Sequence, residues 1–212
     1  MGILKNGPFG TMTGKIHNMV AYDLNGQNII RRIGTTNKKP SVRQLTVRQR
    51  MAVVIRFETN LGAIINIGFK EEALLQDKSQ HNVATSQNIK YATSGVYPNV
   101  LVDYAKAKVS QGNLMQPIDP QVELLPGQLK FSWQNPANME HTNGKDQVMM
   151  MAYFPEYNEV SLEVFGAVRT AGEDFLHIET KKQNRRMEVY IAFVAADRET
   201  ASDSIHLGTI NG

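Results

Sequence analysis

Between residues 15 and 33 the apolar positions alternate, imperfectly, around Leu24-Asn25-Gly26. Asn-Gly between two β-prone runs is the strongest short-range hairpin signal, because both central residues must tolerate positive φ. Lys15–Asp23 and Gln27–Ile33 are therefore expected to pair. Ile16, Val20 and Tyr22 read as one face, Met19 and Ala21 as the other, and Ile30 opposes Ile29 and Ile33. A two-stranded ribbon with apolar residues on both faces is not stable alone, so other elements or another chain must cover it. Ahead of it, Gly2, Gly7, Pro8, Gly10 and Gly14 mark residues 1–14 as an irregular arm.

The period then becomes helical. Ser41 follows Pro40, and Gln44 stands three residues on, which is a capping box. The helix is expected from Val42 to about Asn60, with Gly62 and Gly68 weakening any extension. Met51 to Ile55 and Phe57 are apolar all round, which predicts burial on every side. Glu71–Lys78 reads as a short helix, and Gly95-Val96-Tyr97-Pro98 as a turn. Ala105, Ala107 and Val109 alternate with Lys106 and Lys108, so a strand is expected over Tyr104–Val109. Gln116-Pro117-Ile118-Asp119-Pro120 reads as a linker, dividing an arm, hairpin, helix and strand region (1–116) from the rest (117–212).

Beyond the linker the pattern is β throughout. Leu129–Trp133, Gln147–Phe154, Ser161–Arg169, Asp174–Thr180, Met187–Ala195 and Ile205–Ile210 are short runs separated by turn residues, as in a sandwich. With Trp133 on an early strand and Val189–Phe193 on a late one, residues 117–212 resemble a fibronectin-type-III or immunoglobulin-like domain. The expected fold class is mainly β with one long helix, an N-terminal hairpin preceding a β-sandwich.

Composition narrows the chemistry. The chain has 212 residues and no cysteine, which excludes disulfides, a thiol nucleophile and thiolate metal sites. No run approaches the roughly 20 apolar residues of a membrane span. The opening residues lack a signal-peptide apolar core, so synthesis as a cytoplasmic protein, or as a component of a particle assembled there, is expected. Charge is uneven: residues 1–60 carry ten basic and two acidic side chains, net +8, against −5 for the remainder. Such asymmetry suits nucleic acid, an acidic surface or head-to-tail contact between copies of the chain.

Catalytic motifs are missing where they would be legible. Gly10 to Gly14-Lys15-Ile16 fails as a phosphate loop: the glycine spacing is one short, no hydroxyl follows the lysine and a strand comes next. Glu173, Asp174 and His177 lack a nearby third ligand, and Asp197, Glu199 and Asp203 lack the glycine and glutamate of a calcium loop, so both read as solvated carboxylates. His17, His81, His141 and His206 are isolated from one another. No metal, cofactor or catalytic residue is assigned, and the protein is expected to be non-enzymatic.

The candidate interaction residues are Lys15, Arg31, Arg32, Lys38, Lys39 and Arg43. As phosphate contacts they would serve a nucleic-acid or acidic-partner module over segment 31–50. No aromatic lies between Ile29 and Met51 to stack on bases, so this is the second reading. Taken together, Gly2 to Gly10, Gly14-Lys15, Gly26, Ile30-Arg31, Lys38-Lys39-Pro40, Ile67-Gly68-Phe69, Asp103-Tyr104 and Phe131-Ser132-Trp133 resemble an uncharacterised family of Bacteroidota proteins of this length. That resemblance implies no activity. The first reading is a structural protein that assembles with copies of itself, as a filament, ring, virion or injection-system component, through its arm and hairpin.

Overall fold

The structure is a computed structural model that describes all residues except 1, 5–9, 25, 36–37, 136–143, 183 and 212, with residues 2–4 described as backbone only. Part of the opening arm, Asn25 of the hairpin turn and His141 therefore lie outside the described residues. The chain divides into two compact units, Met1–Pro40 and Ser41–Gly212. Contacts thus divide it at Pro40, not at the Pro117 linker.

The first unit is a four-stranded antiparallel meander of β1 (Gly2–Leu4), β2 (Met12–Ile16), β3 (Met19–Leu24) and β4 (Gln27–Arg32). The β3–β4 hairpin is the expected one: Leu24 pairs with Gln27, Gly26 has φ +78°, and the Asp23 carboxylate accepts from the Gly26 N–H at 2.9 Å. Two expectations change. Residues 2–4 and 12–14 of the arm belong to strands, and a second tight turn at His17-Asn18, with His17 at φ 49°, interrupts the strand expected over Lys15–Asp23. Ile16 pairs with Met19 and so shares its face, opposite Val20 and Tyr22.

The second unit has three layers. Four helices stand where one long and one short helix were expected: α1 (Val42–Glu58) and α3 (Lys70–Gln76) fall on the expected runs, and α2 (Gly62–Gly68) and α4 (Gln80–Tyr91) are additional. Ser41 caps α1 with both bonds of the capping box, 3.3 Å to the Gln44 N–H and 2.9 Å from its own N–H to Gln44 Oε1. The chain bends by 98° between α1 and α2, and no single helix among the described residues is long and apolar enough to cross a membrane. Gly68 ends α2 against the backbone of Ser110; a Cβ there would sit 2.8 Å from Ser110 Cα, and Gln111 N–H donates to its carbonyl.

The short ladder β5 (Thr93–Ser94) with β6 (Leu101–Val102) leads to residues 104–109, which form turns instead of the expected strand. Ala107 and Val109 are buried there all the same, because Asn88 pins the segment through both the Lys108 N–H and its carbonyl. The expected linker is mostly strand β7 (Ile118–Leu125). A bulge between Ile118 and Gln121, with Asp119 at φ 46°, absorbs Pro120 at the sheet edge.

β7, β8 (Gln128–Gln134) and β11 (Glu173–His177) make one antiparallel sheet, in the order β11-β8-β7. β9 (Gln147–Phe154), β10 (Glu159–Glu163), β12 (Arg186–Val194) and β13 (Ile205–Asn211) make another, in the order β10-β9-β12-β13. Between them lie Leu129, Phe131 and Trp133 from the first sheet, and Val148, Met150, Ile191 and Phe193 from the second. Trp133 is 5% exposed and meets Phe193 edge-on at 5.4 Å, with its indole N–H donating to the Arg169 carbonyl at 2.7 Å.

The alternate residues of β9 and β12, among them Met149, Met151, Tyr153, Tyr190 and Val194, form a second core with Phe57, Leu61, Ile64, Phe69 and Val83 from the helical segment. The four-stranded sheet is therefore covered on both faces, which is why β9 and β12 read as unbroken apolar runs. Burial pushes the Tyr153 hydroxyl up to about 12 and that of Tyr190 well above its ordinary value, so both remain neutral core groups.

Candidate interaction surface

The first unit has almost no core of its own. Among its residues with described side chains only Ala21 is buried, while Ile16, Met19, Leu24 and Ile30 are 37–57% exposed. Strand register decides how the candidate cations group. Lys15 pairs with Val20, and Val20 with Arg31, so these three stand in one row on one face, with the cations two strands apart. Arg31 lies 5.9 Å from the Tyr22 ring on that face. Arg32 pairs with Met19 and belongs to the opposite face, beside Ile16 and Ile30. Lys38 and Lys39 are exposed just before the unit ends, and Arg43 is exposed in the first turn of α1, in the second unit. The sheet thus groups Lys15 with Arg31, and sets Arg32 on a surface that is cationic and apolar together. Residues 1–40 carry six basic side chains and one acidic.

α1 departs from its sequence reading. Val54 and Phe57 are buried, yet Val47, Met51 and Ile55, spaced four apart, are 64%, 43% and 47% exposed. Met51 and Ile55 line one side of an open groove of about 970 Å³ between α1 and α4, with Ile89 on the other side. The run is apolar all round because one side faces the sheet and another lines this groove.

Three buried charged groups escaped the sequence reading, because their partners are distant in the chain. Arg169 and Asp146 pair at 3.1 Å, both side chains 1% exposed, with the guanidinium 3.8 Å over the Phe193 ring and bonded to the Met115 carbonyl. Glu188 on β12 accepts from Arg186, from Thr209 Oγ1 at 2.9 Å and meets His206 Nε2 at 2.9 Å. Three positions apart on a regular strand, His206 and Thr209 would face opposite ways. The bulge opposite Val189/Tyr190, with Gly208 at φ 111°, turns both toward Glu188. Burial alone would raise the Glu188 carboxyl; the bonds from His206, Arg186 and Thr209 outweigh it and leave it below its ordinary value.

Glu58, 1% exposed at the end of α1, accepts from Thr85 at 2.6 Å and from Asn88 at 2.8 Å, with His81 at 4.0 Å. Burial raises its carboxyl above the ordinary 4.5. Each of these three groups ties elements together; of their carboxylate oxygens, Asp146 Oδ1 has no hydrogen-bond partner among the described residues.

The carboxylates weighed from sequence are likewise engaged. Asp174 accepts from the Ala167 and Phe175 N–H groups, Glu173 pairs with Lys130, Asp203 with Lys108 and Glu199 with Lys70. Among the described residues, no group of three or more His, Asp or Glu side chains is placed to hold a metal ion.

A comparison with functionally characterised proteins gives no match to this chain. A comparison with protein families gives one that spans residues 11–208, from the start of β2 into β13, and so takes in both units. On that coverage the chain belongs to DUF6266, a family of unknown function.

Proposed function

We propose that this protein is a non-enzymatic structural protein that assembles with copies of itself, into a ring, filament or particle component, through its N-terminal sheet. One observation carries the reading: a four-stranded sheet with Ala21 alone buried among its described side chains leaves Ile16, Met19 and Ile30 facing water. Monomers rarely leave such faces uncovered. Among the described residues no strand pairs with the outer edges of β1 and β4, and strand addition from another chain would satisfy their backbone groups. Opposite net charges favour contact between unlike units, since residues 1–40 are +5 and residues 41–212 are −2. Light scattering on the full chain, fractionated by size across the micromolar range, tests this. A discrete assembly that Ile30→Lys with Met19→Lys disperses is expected; a monomer throughout that range would overturn the reading.

The second reading is single-stranded nucleic acid or another acidic partner, held through Lys15 and Arg31 on one face of the N-terminal sheet. The observation favouring it is Arg31 beside the Tyr22 ring with Lys15 on the same face, since cations next to an aromatic form a stacking platform. Anisotropy of a labelled oligonucleotide, titrated at low and moderate salt, separates the two readings.

For residues 118–211 we infer a fibronectin-type-III-like sandwich. Its support is the division of seven strands into β11-β8-β7 and β10-β9-β12-β13 around one core, with Trp133 at its centre.

A further inference from the structure

We infer that the α1–α4 groove receives helix α3 of a second copy of the chain, through a face distinct from the N-terminal sheet. The inference rests on the self-assembly reading and adds a second contact to it.

The groove combines apolar and cationic side chains with the polar His81, Asn82, Thr85 and Ser86. Met51, Ile55 and Ile89 supply the apolar part; Arg50, Lys78 and Lys90 supply the charge, and no carboxylate lines it. Among the described residues these cations form no ion pair, and Arg50 Nη2 reaches only the Gly95 carbonyl at 3.5 Å. Lys78 bonds only the Gln76 amide at 3.1 Å, Lys90 lies 4.8 Å over the Tyr91 ring, and the buried Arg50 Nε has no hydrogen-bond partner. None of the three meets a carboxylate among the described residues, whereas Lys70, Lys108 and Lys130 in the same unit each do so at 2.6–2.7 Å. The groove therefore fits something both apolar and anionic.

α3 has that chemistry. Leu74 and Leu75 are each 71% exposed, and Glu72 and Asp77 beside them have no cationic partner among the described residues. Within one chain, α3 and α4 are joined only by Asp77-Lys78-Ser79, so knob and groove lie side by side in one helical layer. Two such layers related by a two-fold axis engage both knobs and both grooves at once, which closes the contact as a dimer. An acidic helix from another protein, or an anionic lipid surface, would meet the same groove but would leave Leu74 and Leu75 unexplained.

The test uses full-length protein and two exposed-site variants. Lys78→Glu with Lys90→Glu reverses the groove; Glu72→Lys with Asp77→Asn reverses the knob while keeping a residue suited to the φ of 49° at position 77. By sedimentation equilibrium, each variant alone is expected to self-associate at least about tenfold more weakly than the natural chain, because like charges then oppose one another. Mixed together they are expected to regain association, since each reversed surface meets its complement. Circular dichroism and melting temperature, unchanged in both, show that the fold is intact.

Association undiminished in either variant, or no recovery on mixing, overturns the inference. If Ile30→Lys with Met19→Lys abolishes assembly while the helical-layer variants assemble normally, the inference falls and the N-terminal reading stands. If those sheet variants leave a dimer that Lys78→Glu with Lys90→Glu dissociates, the helical-layer contact holds and the sheet does not carry it.

Discussion

Glu58 shows how one buried carboxyl ties stability to pH. Its oxygens receive the Thr85 hydroxyl and the Asn88 amide, and Asn88 in turn holds the backbone of Lys108. The carboxyl thus anchors α1 to α4, while α4 anchors residues 104–109. Burial raises its pKa above 4.5, so between that value and the raised one the folded chain keeps a proton that the unfolded chain has released. Stability from this group therefore falls as pH rises through that window. Glu58→Gln keeps the bond from Asn88 to Oε1 and donates from Nε2 to Thr85, without a charge to desolvate. Denaturant unfolding at about pH 5 and about pH 7 should show a flatter pH dependence in the variant, with its relative gain at the higher pH. Identical slopes in the two proteins would show that the carboxyl ionises freely. A charge on His81, 4.0 Å away, acts against burial by favouring the carboxylate.

At the scale of elements, what was legible in the sequence is what is decided locally. Asn25-Gly26 marks the β3–β4 hairpin, and the Ser41–Gln44 box marks the first residue of α1. The apolar runs of β9 and β12 are visible because both faces of their sheet are covered. The cap is the simplest of these to test. Ser41→Ala removes the acceptor for the Gln44 N–H and should lower stability by about 1 kcal/mol, while Ser41→Gly should cost only a few tenths. Equal thermal midpoints for Ser41→Ala and the natural chain would show that the cap contributes nothing.

The elements that were not legible depend on distant partners. α4 carries a small buried set, Val83, Ala84 and the polar Asn88, whose bonds lie 20 and 30 residues away, so its pattern looks like surface. β7 contains Pro120, a break in any local reading, and only pairing with β8 reveals the bulge that tolerates it. Residues 104–109 alternate like a strand yet turn, because Asn88 and Ser204 hold their backbone instead of a neighbouring strand. The candidate cations were legible as a list, but their grouping into Lys15 with Arg31, and Arg32 apart, needed the register of β2, β3 and β4. The groove was hidden for a different reason: Met51 and Ile55 look like core by composition, and only the position of α4 distinguishes a groove wall from a core contact.

At the scale of the molecule, the two cores decide where the chain divides. Every described buried residue of both clusters lies between Phe57 and Ala201, so neither core takes a described residue from the first forty. The helical core and the sheet, in contrast, cannot be parted without exposing Met149, Met151, Tyr153 and Tyr190 on one side and Phe57, Leu61 and Phe69 on the other. Residues 41–212 without the N-terminal unit should therefore unfold in one cooperative transition, at a midpoint within a few degrees of the full chain. Residues 117–212 alone should aggregate, because the second face of their four-stranded sheet would be bare over an area far beyond what monomers expose. Calorimetry and light scattering on the two fragments check both halves. A soluble, cooperatively melting 117–212 fragment would show that the sandwich stands without its helices and would restore the boundary at Pro117. A 41–212 fragment that melts in two steps, or far below the full chain, would show instead that the N-terminal sheet is part of the folding unit, and that its exposed apolar faces are covered within a single copy.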